Sequence, residues 1–126
     1  MALKAFIVED NLSIRESLVE ALAELAHVET CGVASDEPTA TKWLTDPSHE
    51  WDVAIVDLIL DRGNGFGVLR AVKGRDARRK VVVLTATAHP DVRRECEALG
   101  SDGVFDKSME TDALIDWCLA LSRAKA

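Results

Sequence analysis

Long apolar runs are missing from this sequence: no stretch approaches the roughly 20 residues that a helix needs to cross a bilayer, although 48% of the 126 residues are hydrophobic. The start, Met1-Ala2-Leu3-Lys4, has no basic segment leading into such a run. No signal peptide and no membrane association are therefore expected, and the protein is expected in the cytoplasm. Cysteine is scarce as well. Cys31, Cys96 and Cys118 are an odd number, widely spaced and without a Cys-x-x-Cys pair, which excludes a disulfide framework or a zinc site and leaves buried free thiols. His27, His49 and His89 lack the spacing of helical metal ligands. Positive charge is in deficit: 15 Lys and Arg face 22 Asp and Glu, a net charge of −7, which opposes direct binding to nucleic acid. The one basic cluster, Arg70, Lys73, Arg75, Arg78, Arg79 and Lys80, reads as a solvated helix end and loop. With no repeat, low-complexity segment or linker, residues 1–126 are expected to form one domain.

What is present is a regular alternation. Apolar runs at 3–8, 53–56, 81–84 and 103–105, with a weaker one at 27–33, predict five strands, buried on both faces because they do not alternate with polar residues. Helical spacing lies between them. Leu18, Leu22 and Leu25 predict a first helix, with Ser13 and Glu16 placed for a capping box. A second opens at Pro38 and buries Ala40 and Leu44. A third follows Gly65 with Leu69 and Val72 inward, and a fourth runs from Pro90 to a stop at Gly100 with Val92, Cys96 and Leu99 on one face. The fifth spans 111–122 and buries Leu114, Ile115, Cys118 and Leu119. Alternating strands and helices joined by short connections imply right-handed crossovers, hence a doubly wound α/β domain with a parallel sheet and five helices.

The polar residues that interrupt this pattern fall at strand ends. Glu9 and Asp10 follow the first strand, Asp57 the third, Thr85 ends the fourth and Lys107 follows the fifth. In an open parallel sheet the carboxyl ends of the strands line the ligand crevice. Three carboxylates there call for a hard divalent cation with oxygen ligands, magnesium where phosphate is handled. A carboxylate beside such a cation can attack an activated phosphoryl group and form an aspartyl phosphate. A lysine and a hydroxyl then stabilise the charge on the transferring oxygens. Asp57, Lys107 and Thr85 match those parts.

The order strand, Glu-Asp, strand, Asp, strand, Thr-Ala, strand, Lys resembles the receiver domain of bacterial response regulators in two-component signalling. It does so over nearly the whole chain. The resemblance implies a flavodoxin-like sheet of order 2-1-3-4-5. It implies that Asp57 accepts the phosphoryl group and that Asp10 and Asp57 contact magnesium, with Glu9 acting through water. It further implies the backbone carbonyl of Ile59 as another metal ligand, and switch and counter-charge roles for Thr85 and Lys107. The implied partners are a histidine kinase or phosphotransfer protein, an output protein, and a second copy of the chain through the face formed by the fourth helix, fifth strand and fifth helix. Catalysis is then limited to the domain's own phosphorylation and dephosphorylation.

Two positions depart from the family. Ser108 stands where proline usually follows the lysine, so the Lys107–Ser108 bond is expected to be trans. Val104 stands where an aromatic ring changes rotamer on activation. Val104 is expected to face the output surface and Phe105 the core, since neighbouring side chains in a strand point to opposite faces. Activation must then travel through Thr85 and the loop 86–90. The competing reading is a magnesium-dependent phosphohydrolase with an aspartate nucleophile. Such enzymes show a second acid two residues after the nucleophile, where this chain has Ile59, and 126 residues leave little room for a substrate cap. A flavin or nucleotide site is disfavoured because Glu9 and Asp10 would repel a phosphate.

Overall fold

Apolar side chains that fill both faces of a short strand force a central sheet, and the computed structural model, which describes residues 2–125, has one. The elements run β1 Leu3–Val8, α1 Leu12–Ala26, β2 Val28–Ala34, α2 Glu37–Leu44, β3 Val53–Val56, α3 Gly65–Ala71, β4 Lys80–Thr85, α4 Pro90–Ala98, β5 Gly103–Asp106 and α5 Thr111–Lys125. All paired strands are parallel, in the order β2-β1-β3-β4-β5. Among the described residues no helix is long and apolar enough to cross a membrane.

Alternation along each strand splits the core in two. Leu3, Ala5 and Ile7 of β1, Val53 and Ile55 of β3, and Val82 and Leu84 of β4 pack with Leu18 and Leu22 of α1 and Leu114 and Cys118 of α5. Phe6 and Val8, Ala54 and Val56, and Val81 and Val83 point the other way, onto Ala40 and Leu44 of α2, Val68 and Leu69 of α3 and Cys96 of α4. Period-two alternation with both faces covered is what the sequence shows as continuous apolar runs.

Several local expectations need correction. Helix α1 is not capped by a Ser13–Glu16 box: Asn11 is the N-cap and its Oδ1 accepts from the Ile14 N–H at 3.0 Å. Ser13 lies inside the helix and exposed. Leu25 is 60% exposed, and Ala26 is buried in its place, because the inward line runs in steps of four through Leu18 and Leu22. His27 does not begin β2 but closes α1 at φ 56°, its N–H donating to the Leu22 carbonyl. Helix α2 opens one residue before Pro38, after the N-cap Asp36.

The basic cluster is partly structural. Arg75 donates to the carbonyls of Val72, Arg79 and Gly100 and to Asp102 at 2.7–3.1 Å, and the Arg79 guanidinium lies 4.9 Å from the Trp51 ring centre. Phe105 is only half-buried, while Val104 is the residue enclosed in the core. In register, Val104 pairs with Val83 and Phe105 with Leu84, which places Val104 on the α2–α4 side and Phe105 on the α1–α5 side. Since β5 is the edge strand, the Phe105 flank is incompletely covered, and truncating it to Ala is expected to cost less than the about 3–5 kcal/mol of a fully buried Phe.

The cysteines are free thiols, Cys96 and Cys118 buried and Cys31 half-buried. Burial pushes the Cys118 thiol up to about 12 and that of Cys96 to about 11. Because the thiolate is the reactive form, iodoacetamide at about pH 8 should leave both unmodified in the native protein and label all three once it is denatured. Intact mass checks this, and rapid native labelling of Cys118 would contradict its burial.

Candidate functional site

Each expected site residue sits where its strand stops. The backbone N–H groups of Glu9, Asp57 and Lys107 continue the sheet ladders, donating to Ala34, Val8 and Thr85 carbonyls at 2.9–3.0 Å. These bonds hold the chain straight to the carboxyl edge, so the side chains emerge together there. Glu9 is 3% and Asp57 5% exposed, Thr85 is fully buried, and Asp10 and Lys107 are half-buried.

Carboxylate oxygens of Glu9, Asp10 and Asp57 lie within 4.8 Å of one another. Lys107 Nζ reaches across this cluster, 2.5 Å from Glu9 Oε1 and 2.7 Å from Asp57 Oδ2. The remaining oxygens are also oriented: Glu9 Oε2 accepts from the Asn11 N–H at 3.0 Å and Asp57 Oδ1 from the Ile59 N–H at 3.3 Å. Burial raises the Glu9 carboxyl above its usual range, although Lys107 and the Asn11 N–H pull it back. Burial pulls the Lys107 ammonium down, but its bonds to Asp57 and Glu9 outweigh that and leave it raised.

Three carboxylates against one ammonium leave the mouth negative, and an all-oxygen donor set this compact fits a hard divalent cation. Thr85 Oγ1 lies 3.2 Å from Thr87 Oγ1. Ile59 lies in the loop after β3, its side chain exposed and its backbone bridged to Asn64. The Lys107–Ser108 peptide bond is trans.

Some residues of this region escaped the sequence. Arg15 braces the site from α1, donating to the Glu9 carbonyl at 3.3 Å and to Ser35 Oγ at 3.2 Å. At the Val104 position, Arg93 of α4 donates to the carbonyls of Ala88 (3.0 Å) and Val104 (2.8 Å) and to Glu110 Oε1 (2.5 Å). One side chain thus ties together the loop after Thr85, β5 and the start of α5. The Arg93 hydrogen bond holds the Glu110 carboxyl below its usual range.

Comparison with known proteins gives one consistent result. Residues 5–118 match the family described as the response regulator receiver domain. The virulence transcriptional regulatory protein PhoP of Salmonella typhimurium is 29% identical over 121 residues, 96% of this chain and 52% of PhoP. The chain therefore spans about half the length of the curated relatives it matches. Among solved structures, the receiver domain of Francisella response regulator 1452 superposes with a TM-score of 0.83 at 21% identity, covering 98% of this chain and 99% of that one. The Mn(2+)-bound form of response regulator Rcp1 superposes with a TM-score of 0.75 at 21% identity, covering 94% and 91%. Both superpositions show a shared fold.

Proposed function

This chain belongs to the response regulator receiver domain family, and we propose that Asp57 is its phosphoryl acceptor, with magnesium as the cation. Receiver domains are signalling modules phosphorylated on an aspartate rather than turnover enzymes, and Glu9, Asp10 and Asp57 form the divalent cation site. The observation that carries the acceptor assignment is the bridge of Lys107 between Asp57 and Glu9. It fixes one Asp57 oxygen 2.7 Å from the lysine ammonium at the mouth of the sheet, where a positive charge stands ready for the transferring group.

Magnesium bound by Asp10 and Asp57, by Glu9 through water and by the Ile59 carbonyl would neutralise oxygens of the incoming phosphoryl group. The protein's own residues do the rest. An Asp57 oxygen attacks phosphorus, the bond from phosphorus to the imidazole nitrogen of the donor phosphohistidine breaks, and the imidazole leaves with the electron pair. Lys107 exchanges its bond with Asp57 for one with a phosphoryl oxygen. The Thr85 hydroxyl leaves Thr87 and donates to another. That movement pulls on Ala86–Ala88, the loop that Arg93 ties to β5 and α5. The donor is a cytoplasmic histidine kinase or phosphotransfer protein. The output is a protein contact, with an effector or a second copy, at the α4–β5–α5 face. Residues 1–126 serve as one receiver unit.

A small-molecule phosphodonor with magnesium tests this. We expect one phosphoryl adduct by intact mass, resistant to acid and labile to base, mapping to Asp57. Continuous release of phosphate without an adduct would favour a phosphohydrolase, and an adduct mapping elsewhere would move the acceptor.

A further inference from the structure

The loop that leaves the acceptor strand is held from outside. After Asp57 the chain turns back on itself through the Ile59–Asn64 bridge, and the Gly65 N–H donates to the Leu58 carbonyl at 3.0 Å. The tip of this turn has no apolar packing of its own: Asp61, Arg62, Gly63 and Asn64 are all exposed. Its anchors come from the start of α2. Glu37 Oε1 accepts from the Asn64 N–H at 2.9 Å. The Glu37 N–H donates to the Arg62 carbonyl at 2.9 Å, and the Asp61 N–H to the Ser35 carbonyl at 3.3 Å. Arg62 reaches Asp36 Oδ2 at 3.1 Å.

The glycines of the turn record the same grip. A Cβ at Gly63, which has φ +72°, would lie 2.6 Å from Glu37 Cβ, and one at Gly67 would run into the Glu37 carboxylate. Two of the three glycines in Gly63-Asn64-Gly65-Phe66-Gly67 thus make room for a single side chain 26 to 30 positions earlier in sequence.

We propose that Glu37 is a positioning residue of the cation and phosphoryl site: its carboxylate holds the turn closed, so that the Ile59 backbone and Asp57 stand ready before the cation arrives. This rests on the reading of Ile59 and Asp57 given above. The physical reason is pre-organisation. A turn left free must be ordered when the cation binds, and groups that orient ligands from behind typically govern affinity without touching the metal.

The experiment is a magnesium titration by calorimetry on the whole chain, with amide hydrogen exchange of the metal-free proteins, for wild type, E37Q, E37D and E37A. E37Q keeps an oxygen at the same reach and loses the charge, whereas E37D keeps the charge and falls one methylene short. We expect E37Q to bind magnesium as the wild type does, and E37D and E37A to bind about tenfold more weakly, with faster exchange at Asn64 and Gly65. Should E37A fail to fold, the Gln and Asp pair decides alone. Affinity that follows charge, with E37Q weakened and E37D normal, overturns the proposal, as does wild-type affinity and exchange in E37D. A wild type that binds no magnesium overturns the metal reading itself, and is distinguishable because no variant is involved.

Discussion

Asp57→Ala is expected to take up no phosphoryl group from a small-molecule phosphodonor under conditions that convert the wild type fully. The other two carboxylates of the mouth are poorly placed to substitute. Both oxygens of Glu9 are committed, one to Lys107 and one to the Asn11 N–H. Asp10 lies one residue further from the strand end, outside the Lys107 bridge. The variant should still fold, because Lys107 retains Glu9 at 2.5 Å and Asp57 contributes nothing to either apolar core. Intact mass reads the adduct and far-ultraviolet circular dichroism the fold. Full phosphorylation of a folded Asp57→Ala protein would show that the acceptor lies elsewhere.

The sequence carried this site plainly because its residues are tied to strand ends, and strands buried on both faces announce themselves as apolar runs. Bounds for β1 and β3 agree to the residue, and Glu9, Asp10, Asp57, Thr85 and Lys107 all reach the carboxyl edge. Helix starts were less legible. Ser13 and Asn11 are both capping residues by type, and only the fold shows that Asn11 reaches the Ile14 N–H. The faces of β5 were not legible at all. Alternation says that Val104 and Phe105 point apart, but not which side each takes. That follows from the pairing of Val104 with Val83 and from β5 lying at the edge.

Long-range polar ties left no local signal either. Glu37 and Asn64 are 27 positions apart and Arg93 and Glu110 are 17 apart, and neither pair has a helical or strand spacing. Glu37 left an indirect trace in Gly63 and Gly67, where a Cβ would run into its side chain. The Arg93 ties also change the picture of the switch. Val104 has no large side chain to swing, but its carbonyl is held by the same guanidinium that holds Ala88, which links the loop after Thr85 to β5 without an aromatic ring.

Lys107→Ala should lower metal-free stability by about 3 kcal/mol, the lower end of the cost of breaking a buried pair, because the mouth admits water beside half-buried Asp10. The loss arises from what remains: Glu9 and Asp57, almost fully buried, then face each other and Asp10 with no positive charge among them. Magnesium should restore most of it, so the metal-induced gain in urea midpoint is larger in the variant than in the wild type.

The pH dependence follows from Glu9, whose carboxyl in the folded protein is raised above 4.5 by burial even with Lys107 lowering it. A carboxyl raised on folding stabilises the fold fully below its unfolded value, and that contribution is lost as pH rises through the folded value. Without Lys107 the folded value climbs further. The deficit of Lys107→Ala should therefore be small in acid, where Glu9 is protonated, and grow to its full size on the way to neutral pH. Urea titrations at several pH values, with and without magnesium, read this directly. A metal-free variant as stable as the wild type at neutral pH, or a deficit that grows on acidification, would show that Lys107 is not the counter-charge of the carboxylate cluster.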